Sequence, residues 1–251
     1  MDRAIYTAMG AASAALNQQA VTSNNLANVS TPGFRGQLAM FRAVPVEGPS
    51  MDTRTLVTAS TPGNDFTAGP IQMTDRPLDV ALGQDSWLAV QLPDGQEVYT
   101  RNGSIQVDQA GQLRIQGLEL VGESGPMTVP TDALLTIGSN GTVSSLGVGD
   151  NPTAIAPVGR IKMVNVPPGE LEHRDDGFFQ LTANARAARG PVLAADPSIN
   201  LVPGAIEGSN VSPVKALASM ITNARSFEMQ MKVISDVNEN ARSANQLLSL
   251  S

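Results

Sequence analysis

Residues 212–250 read SPVKALASMITNARSFEMQMKVISDVNENARSANQLLSL, and the fold is decided there. Met220, Phe227, Ile234, Ala241 and Leu248 stand seven apart. Leu217, Ala224, Met231, Asn238 and Asn245 form a second row three residues ahead. Two rows at this spacing make the seam of a helix packed lengthwise on another helix. Ser212 suits the N-cap, and Pro213 the first helical position, where a missing N–H costs nothing. Neither Gly nor Pro interrupts Val214 to Ser251. At 1.5 Å per residue such a helix runs roughly 50 Å, and a rod of that length needs a partner.

The partner is expected at the other end of the chain. Ile5, Met9, Ala12, Leu16, Gln19, Ser23 and Leu26 alternate spacings of four and three. They predict a second helix from Asp2 to about Asn28, ending before Thr31-Pro32-Gly33, because Pro disfavours helix in the preceding residue and Gly permits a sharp exit. The expected fold class is α+β: paired long N- and C-terminal helices, coiled-coil-like, with an antiparallel β-domain inserted between them. Both seams weaken into Ala, Ser, Gln and Asn. At ~25 cal/mol per Å² the pair gains little against its ordering entropy. The helices are therefore expected to complete their packing on other subunits, through Ile5, Met9, Leu16, Leu26, Leu217, Met220, Ile221, Phe227, Met231, Ile234 and Leu248. The alternative is an ordinary helical hairpin closing a globular fold.

Composition narrows the function. The 251 residues allow one large or two small domains. Apolar residues make up 41%, with one Trp, two Tyr and six Phe, while 23 Gly and 17 Pro favour many turns over one dense core. A net charge of −7 and a pI near 4.7 argue against nucleic acid or an anionic membrane as partner. No apolar run of about 18 residues exists, so no membrane insertion is expected. The absence of Cys excludes disulfides, thiolate metal sites and Cys nucleophiles, and it suits a chain that passes a narrow channel unfolded. No cleavable signal is expected: Asp2 stands where positive charge belongs, and Asn17-Gln18-Gln19 breaks the apolar stretch.

Between the helices the pattern changes twice. Residues 37–75 carry Pro45, Gly48-Pro49, Thr61-Pro62-Gly63 and Gly69-Pro70 around short β-branched stretches. They predict an extended connector, either a long hairpin lying over neighbouring subunits or a disordered linker. Residues 76–191 alternate with period two, as in Leu78, Val80 and Leu82, and in Trp87 to Leu92. Turn signals fall at Pro93-Asp94-Gly95, Ala110-Gly111, Gly117, Gly125-Pro126 and Asn140-Gly141, which predicts a small antiparallel β-domain. Asn102-Gly103 signals a two-residue hairpin joining 97–101 to 104–107. Further strands are expected at 160–166 and 177–181, turned at Pro167-Pro168-Gly169. Trp87 reads as core. Residues 192–206 read as a return connector, and 207–251 as the C-terminal axial segment that pairs with 1–36.

Three motifs in this order carry a resemblance. Asn25-Leu26-Ala27-Asn28 followed by Thr31-Pro32-Gly33-Phe34 resembles the N-terminal signature of the flagellar rod and hook proteins, with Arg35 where that family usually has Lys. Tyr99-Thr100-Arg101-Asn102-Gly103 is similar to its middle-domain hairpin, and Arg76 to Ala81 to its opening strand. Ser86-Trp87-Leu88 departs from the commoner Gly-Phe-Phe. Ile206-Glu207-Gly208-Ser209-Asn210-Val211, then Met220-Ile221, Arg225, Phe227-Glu228 and Lys232, resemble its C-terminal pattern. The resemblance covers nearly the whole chain and is most like a proximal-rod subunit. It implies a structural subunit of the flagellar basal body, not an enzyme, with no cofactor. Its place would be the periplasm-crossing rod, which transmits torque. Its partners would be proximal and distal rod proteins, copies of itself and the flagellar type III export apparatus.

Residues that could carry catalysis are sparse. His173 lies alone in a charged segment and is expected to be solvated; a metal site or triad needs partners. Asp75, Asp79 and Asp85 could be imagined as a glycosidase pair, but alternating strand positions select no pair among them. Asp175-Asp176-Gly177 lacks the further ligands of a calcium loop. Met220, Met229 and Met231 read as adaptable packing surface. A hydrolase using carboxylates and another secreted structural protein with a helix–β–helix plan remain as alternatives. The first predicts a protease-resistant monomer with a cleft; the motifs above argue against the second.

Overall fold

The computed structural model describes residues 2–249 except 46–54, 60–62, 84, 148, 150 and 152–153. The fold is α+β, with long helices at both ends and antiparallel strands between them. Its contacts divide the chain into two units. One comprises residues 1–29, 36–65 and 211–251, the other 30–35 and 66–210.

In the helical unit, α1 spans Asp2–Ala27. It packs on a second long helix at Pro213–Ser249. The Ser212 hydroxyl accepts from the Lys215 amide at 3.5 Å, capping that second helix. The connector contains strands. Gln37–Leu38 pairs with Gly63–Asn64, and Phe41–Pro45 pairs antiparallel with Thr55–Ala59, while the expected turns at Gly48-Pro49 and Thr61-Pro62 lie outside the described residues. Asn25 fixes the exit from α1, since its side chain donates to the Gln37 carbonyl at 2.8 Å and accepts from the Gln37 amide at 2.7 Å.

The other unit is built on a nine-stranded antiparallel sheet. Its main path runs Leu171–His173, Phe179–Leu181, Glu97–Thr100, Ser86–Gln91, Leu118–Gly122, Leu113–Ile115, Gln106–Val107. Period two decides which core each residue of Ser86–Gln91 joins. Leu88 and Val90 enter a large aliphatic cluster with Ile105, Leu113, Ile115 and Leu120. Trp87 and Ala89 enter a smaller one with Tyr99, Phe179 and Leu181 on the opposite face. A strand covered on both faces is central, which accounts for a run that is apolar almost throughout. A three-stranded sheet (Ala133–Ile137, Thr142–Gly147, Ala156–Arg160) and two ribbons complete the unit. The ribbons pair Leu201–Pro203 with Val80–Leu82, and Ala205–Glu207 with Ile71–Met73. Part of the expected return connector is thus strand.

Three expectations need correction. Asn102-Gly103 is no hairpin: Glu97–Thr100 pairs with Ser86–Gln91, and Gln106–Val107 with Leu113–Ile115. Asn102 instead accepts from the Ser104 amide at 2.9 Å, and Gly103 lies so close to Val80 that a Cβ would stand 1.6 Å from its carbonyl oxygen. Glycine is needed there for backbone approach, not for a turn. Sequence periodicity gives no element at 183–189, where α2 (Ala183–Arg189) forms. Thr182 caps its first turn, Gly190 ends it, and Ala185 alone of its residues is buried. The helix that opens at Pro213 is therefore α3.

His173 is the third correction. It closes the strand Leu171–His173, half-buried, with its ring edge-on to Phe179 at 5.2 Å. Burial holds its pKa below the ordinary value, opposed by the charges of Asp176 and Asp175. The unfolded chain therefore takes up a proton that the folded chain resists. This residue's stabilisation is complete above the unfolded pKa of about 6.5 and declines as pH falls below it. The thermal midpoint of the wild-type chain is expected to drop further than that of His173→Gln between about pH 7.5 and pH 5.5. Equal drops in a calorimetric scan would contradict this.

Candidate functional site

The two long helices bury alternate threes and fours. On α1 this spacing runs through Ile5, Ala8, Ala12, Ala15, Gln19, Thr22 and Leu26, and Gly10, Ala11, Ala14, Val21, Ser23 and Asn25 beside it are also partly covered. On α3 it runs through Ala216, Met220, Asn223, Phe227, Gln230, Ile234, Val237, Ala241 and Ala244. One row of each expected seam is among them: Ile5 and Leu26 on α1, Met220, Phe227 and Ile234 on α3, all half-buried. The other row lies one residue away from the expected one. Small side chains take the covered places, with the Asn223 amide 3.5 Å from the Thr22 hydroxyl. Met9, Leu16, Leu217, Ile221 and Met231 are left about half exposed. Sequence periodicity favoured the larger residues because it weighs hydrophobicity; close helix approach favours smaller ones. The side chain of Leu248 lies outside the described residues. Each helix thus carries a covered row of small residues beside an uncovered row of large apolar ones. Tyr6 and Val214 extend the uncovered rows.

The β unit holds the second feature. Phe34 donates its amide to the Thr31 carbonyl, closing the Thr-Pro-Gly-Phe turn at 3.3 Å. Gly33 sits at φ 68 and packs on the Arg101–Asn102 backbone, where a Cβ would stand 2.3 Å from the Arg101 carbonyl carbon. Its amide donates to the Glu207 carbonyl at 2.7 Å. Phe34 and Arg35 are buried, and Arg35 Nη2 lies 2.6 Å from Glu207 Oε1. The same carboxylate accepts from Arg101 Nε at 2.8 Å and from the Gly69 amide at 2.8 Å. Arg35, Arg101 and Glu207 are 3%, 2% and 1% exposed, so this is a fully buried Arg–Glu–Arg cluster. Each of the three motifs singled out in the sequence contributes one member.

The two arginines are held differently. Arg101 spends every N–H it has: beyond Glu207, its guanidinium donates to the carbonyls of Gly83, Ser86 and Leu82, and it lies 5.7 Å over the Trp87 ring. Burial pushes its pKa down, and Glu207 opposes that most strongly. Among the described residues Arg35 makes one ion pair, and its Nε and Nη1 find no partner. The remaining motif residues are divided between the two units. Ser209 is buried, Asn210 donates to the Thr67 carbonyl at 3.0 Å and, through its amide, to Phe34, and Val211 is half-buried. Ala27 ends α1, and Asn28 bonds back to the Asn24 carbonyl at 3.0 Å. Sequence reasoning missed Glu207 as a site residue. The available signal was a lone acid between Ile206 and Gly208, with two basic residues at fixed places in the other motifs.

Asp79 is buried and accepts from the Thr74 hydroxyl at 2.7 Å, while Asp75 and Asp85 occupy left-handed backbone positions. Among the described residues no three His, Cys, Asp or Glu side chains stand close enough to hold a metal ion, and no helix is long and apolar enough to cross a membrane.

Three family descriptions match the chain: flagella basal body rod protein over residues 5–35, flagellar hook protein FlgE/F/G D1 domain over 81–145, and flagellar basal body rod FlgEFG protein C-terminal over 202–247. The flagellar basal-body rod protein FlgF of Salmonella typhimurium is 63% identical over 251 residues, covering 100% of both chains. Its Escherichia coli counterpart is 62% identical over the same span. The flagellar basal-body rod protein FlgG of Caulobacter vibrioides is 32% identical, covering 96% of this chain and 97% of its own.

Proposed function

The chain belongs to the flagellar basal-body rod protein family, and from that membership we propose a structural subunit of the proximal rod that helps carry torque across the periplasm. The observation that carries this is identity above three-fifths, end to end, with relatives named as rod proteins. The chain is a component of the basal-body rod, and its work is assembly rather than catalysis. The covered rows of α1 and α3 form a coiled-coil-like pair. The uncovered rows, with Met9, Leu16, Leu217, Ile221 and Met231, pack on neighbouring rod subunits and on further copies of this chain. Such contacts join unlike surfaces, so they propagate helically instead of closing. Torque demands many lateral contacts loaded in parallel, which long helices provide. Export through the flagellar type III pathway without cleavage follows from the family resemblance and is consistent with a cysteine-free chain.

Electron microscopy of basal bodies from a strain lacking this gene tests the reading. Rods that stop short, with no hook beyond them, are the expected result. Full-length rods with normal filaments would overturn it.

A further inference from the structure

The chain enters the β unit at Ser30 and Phe66 and leaves it at Arg35 and Asn210. All four passages are tied within a few residues of one carboxylate. The Gly33 amide reaches the Glu207 carbonyl, and the Arg35 guanidinium and the Gly69 amide reach its side chain. Gly69 is so close that a Cβ would stand 2.0 Å from the Gly208 carbonyl oxygen. Asn210, three residues further on, holds Phe34 and Thr67. We propose that Glu207 and Arg35 form a clamp that gathers these four passages, so that pull along any one of them is shared by all. Glu207 is a positioning residue in this scheme, which rests on the rod reading above.

The clamp has a fixed half and a closing half. Arg101 is saturated by its own surroundings and sits on Trp87, so Arg101–Glu207 belongs to the β unit itself. Among the described residues Arg35 makes a single ion pair and leaves two nitrogens unpartnered. Removing Arg35 leaves a charge-balanced pair behind, whereas removing Glu207 leaves two buried cations. Arg35 can therefore be taken away without dismantling the sheet. Bonds loaded side by side must break together, which makes a cluster of short charge-assisted bonds a better joint than separate peptide hydrogen bonds.

The test compares wild-type chain with Arg35→Met and Arg35→Lys at full length. Native-state amide exchange is read together with Trp87 fluorescence, which reports on the fixed half because the chain has one Trp. In Arg35→Met, exchange at Gly33, Phe34, Gly69 and Asn210 is expected to quicken by about tenfold or more, with Val90 and the Trp87 emission unchanged. Arg35→Lys should restore slow exchange. Expressed in the deletion strain, Arg35→Lys should swim in viscous medium and Arg35→Met should not. Exchange within about twofold of wild type would overturn the clamp, as would uniform quickening that includes Val90. So would normal swimming by Arg35→Met. If Arg35→Met does not fold, Glu207→Asp takes its place: the shortened carboxylate keeps its charge but cannot reach both guanidiniums and Gly69 together. The same local quickening is expected, and its absence overturns the proposal. A deletion strain with complete rods would sink the rod reading and leave the exchange result standing.

Discussion

Glu207→Ala is expected to destabilise the β unit by about 3–5 kcal/mol, because it strands two buried guanidiniums without a counter-charge. Arg35 and Arg101 are each at most 3% exposed, so neither can turn to water without opening the sheet. Asp85 contributes a second, weaker negative charge near Arg101. The Gly69 amide would also lose its acceptor. For a unit of this size the loss corresponds to a drop in thermal midpoint of roughly 10 °C, followed by the Trp87 emission that Arg101 overlies. Glu207→Gln keeps an acceptor for Gly69 and much of the shape, so it should cost less than Ala and more than a surface change. A midpoint within about 2 °C of wild type for Glu207→Ala would show that the cluster is satisfied by other means.

The ends of the molecule were legible because their signals are local and periodic. Ser212 and Pro213 define where α3 begins, and Thr31-Pro32-Gly33 where α1 must have stopped. One row of each seam was also legible. The other was displaced, because periodicity ranks Leu217 above Ala216 and Met9 above Ala8, while helix approach selects Ala8, Ala15 and Ala216. The strand alternation from Trp87 to Gln91 was legible, but the faces were not: both are buried, in different clusters. Asn102-Gly103 misled because a turn-forming pair also serves where two backbones touch, and only Val80, distant in sequence, reveals which applies. The buried cluster was invisible for the same reason. Arg35, Arg101 and Glu207 are dispersed along the chain, and nothing local says that three charged residues share one dry site.

The uncovered helix rows lead to the other large effect. Leu217→Asp combined with Met231→Asp should abolish rod assembly while leaving the free subunit intact. Both side chains are about half exposed in the single chain, so the stability change should stay near 0.5 kcal/mol per site. Asp at Leu217 also falls near the N-terminus of α3, where negative charge is tolerated. In the proposed rod each Asp would have to be buried unpaired against a neighbouring subunit, which costs far more than the lost apolar contact. Phe227→Asp makes the contrast. Phe227 lies on the covered row, so this change should free α3 from α1 in the isolated chain and block assembly for that reason. Circular dichroism and amide exchange on purified chains separate the two, with incorporation into basal bodies as the common readout. If the Leu217/Met231 double variant assembles normally, the uncovered rows are not the assembly surface, and the covered rows would have to open and exchange partners when subunits join.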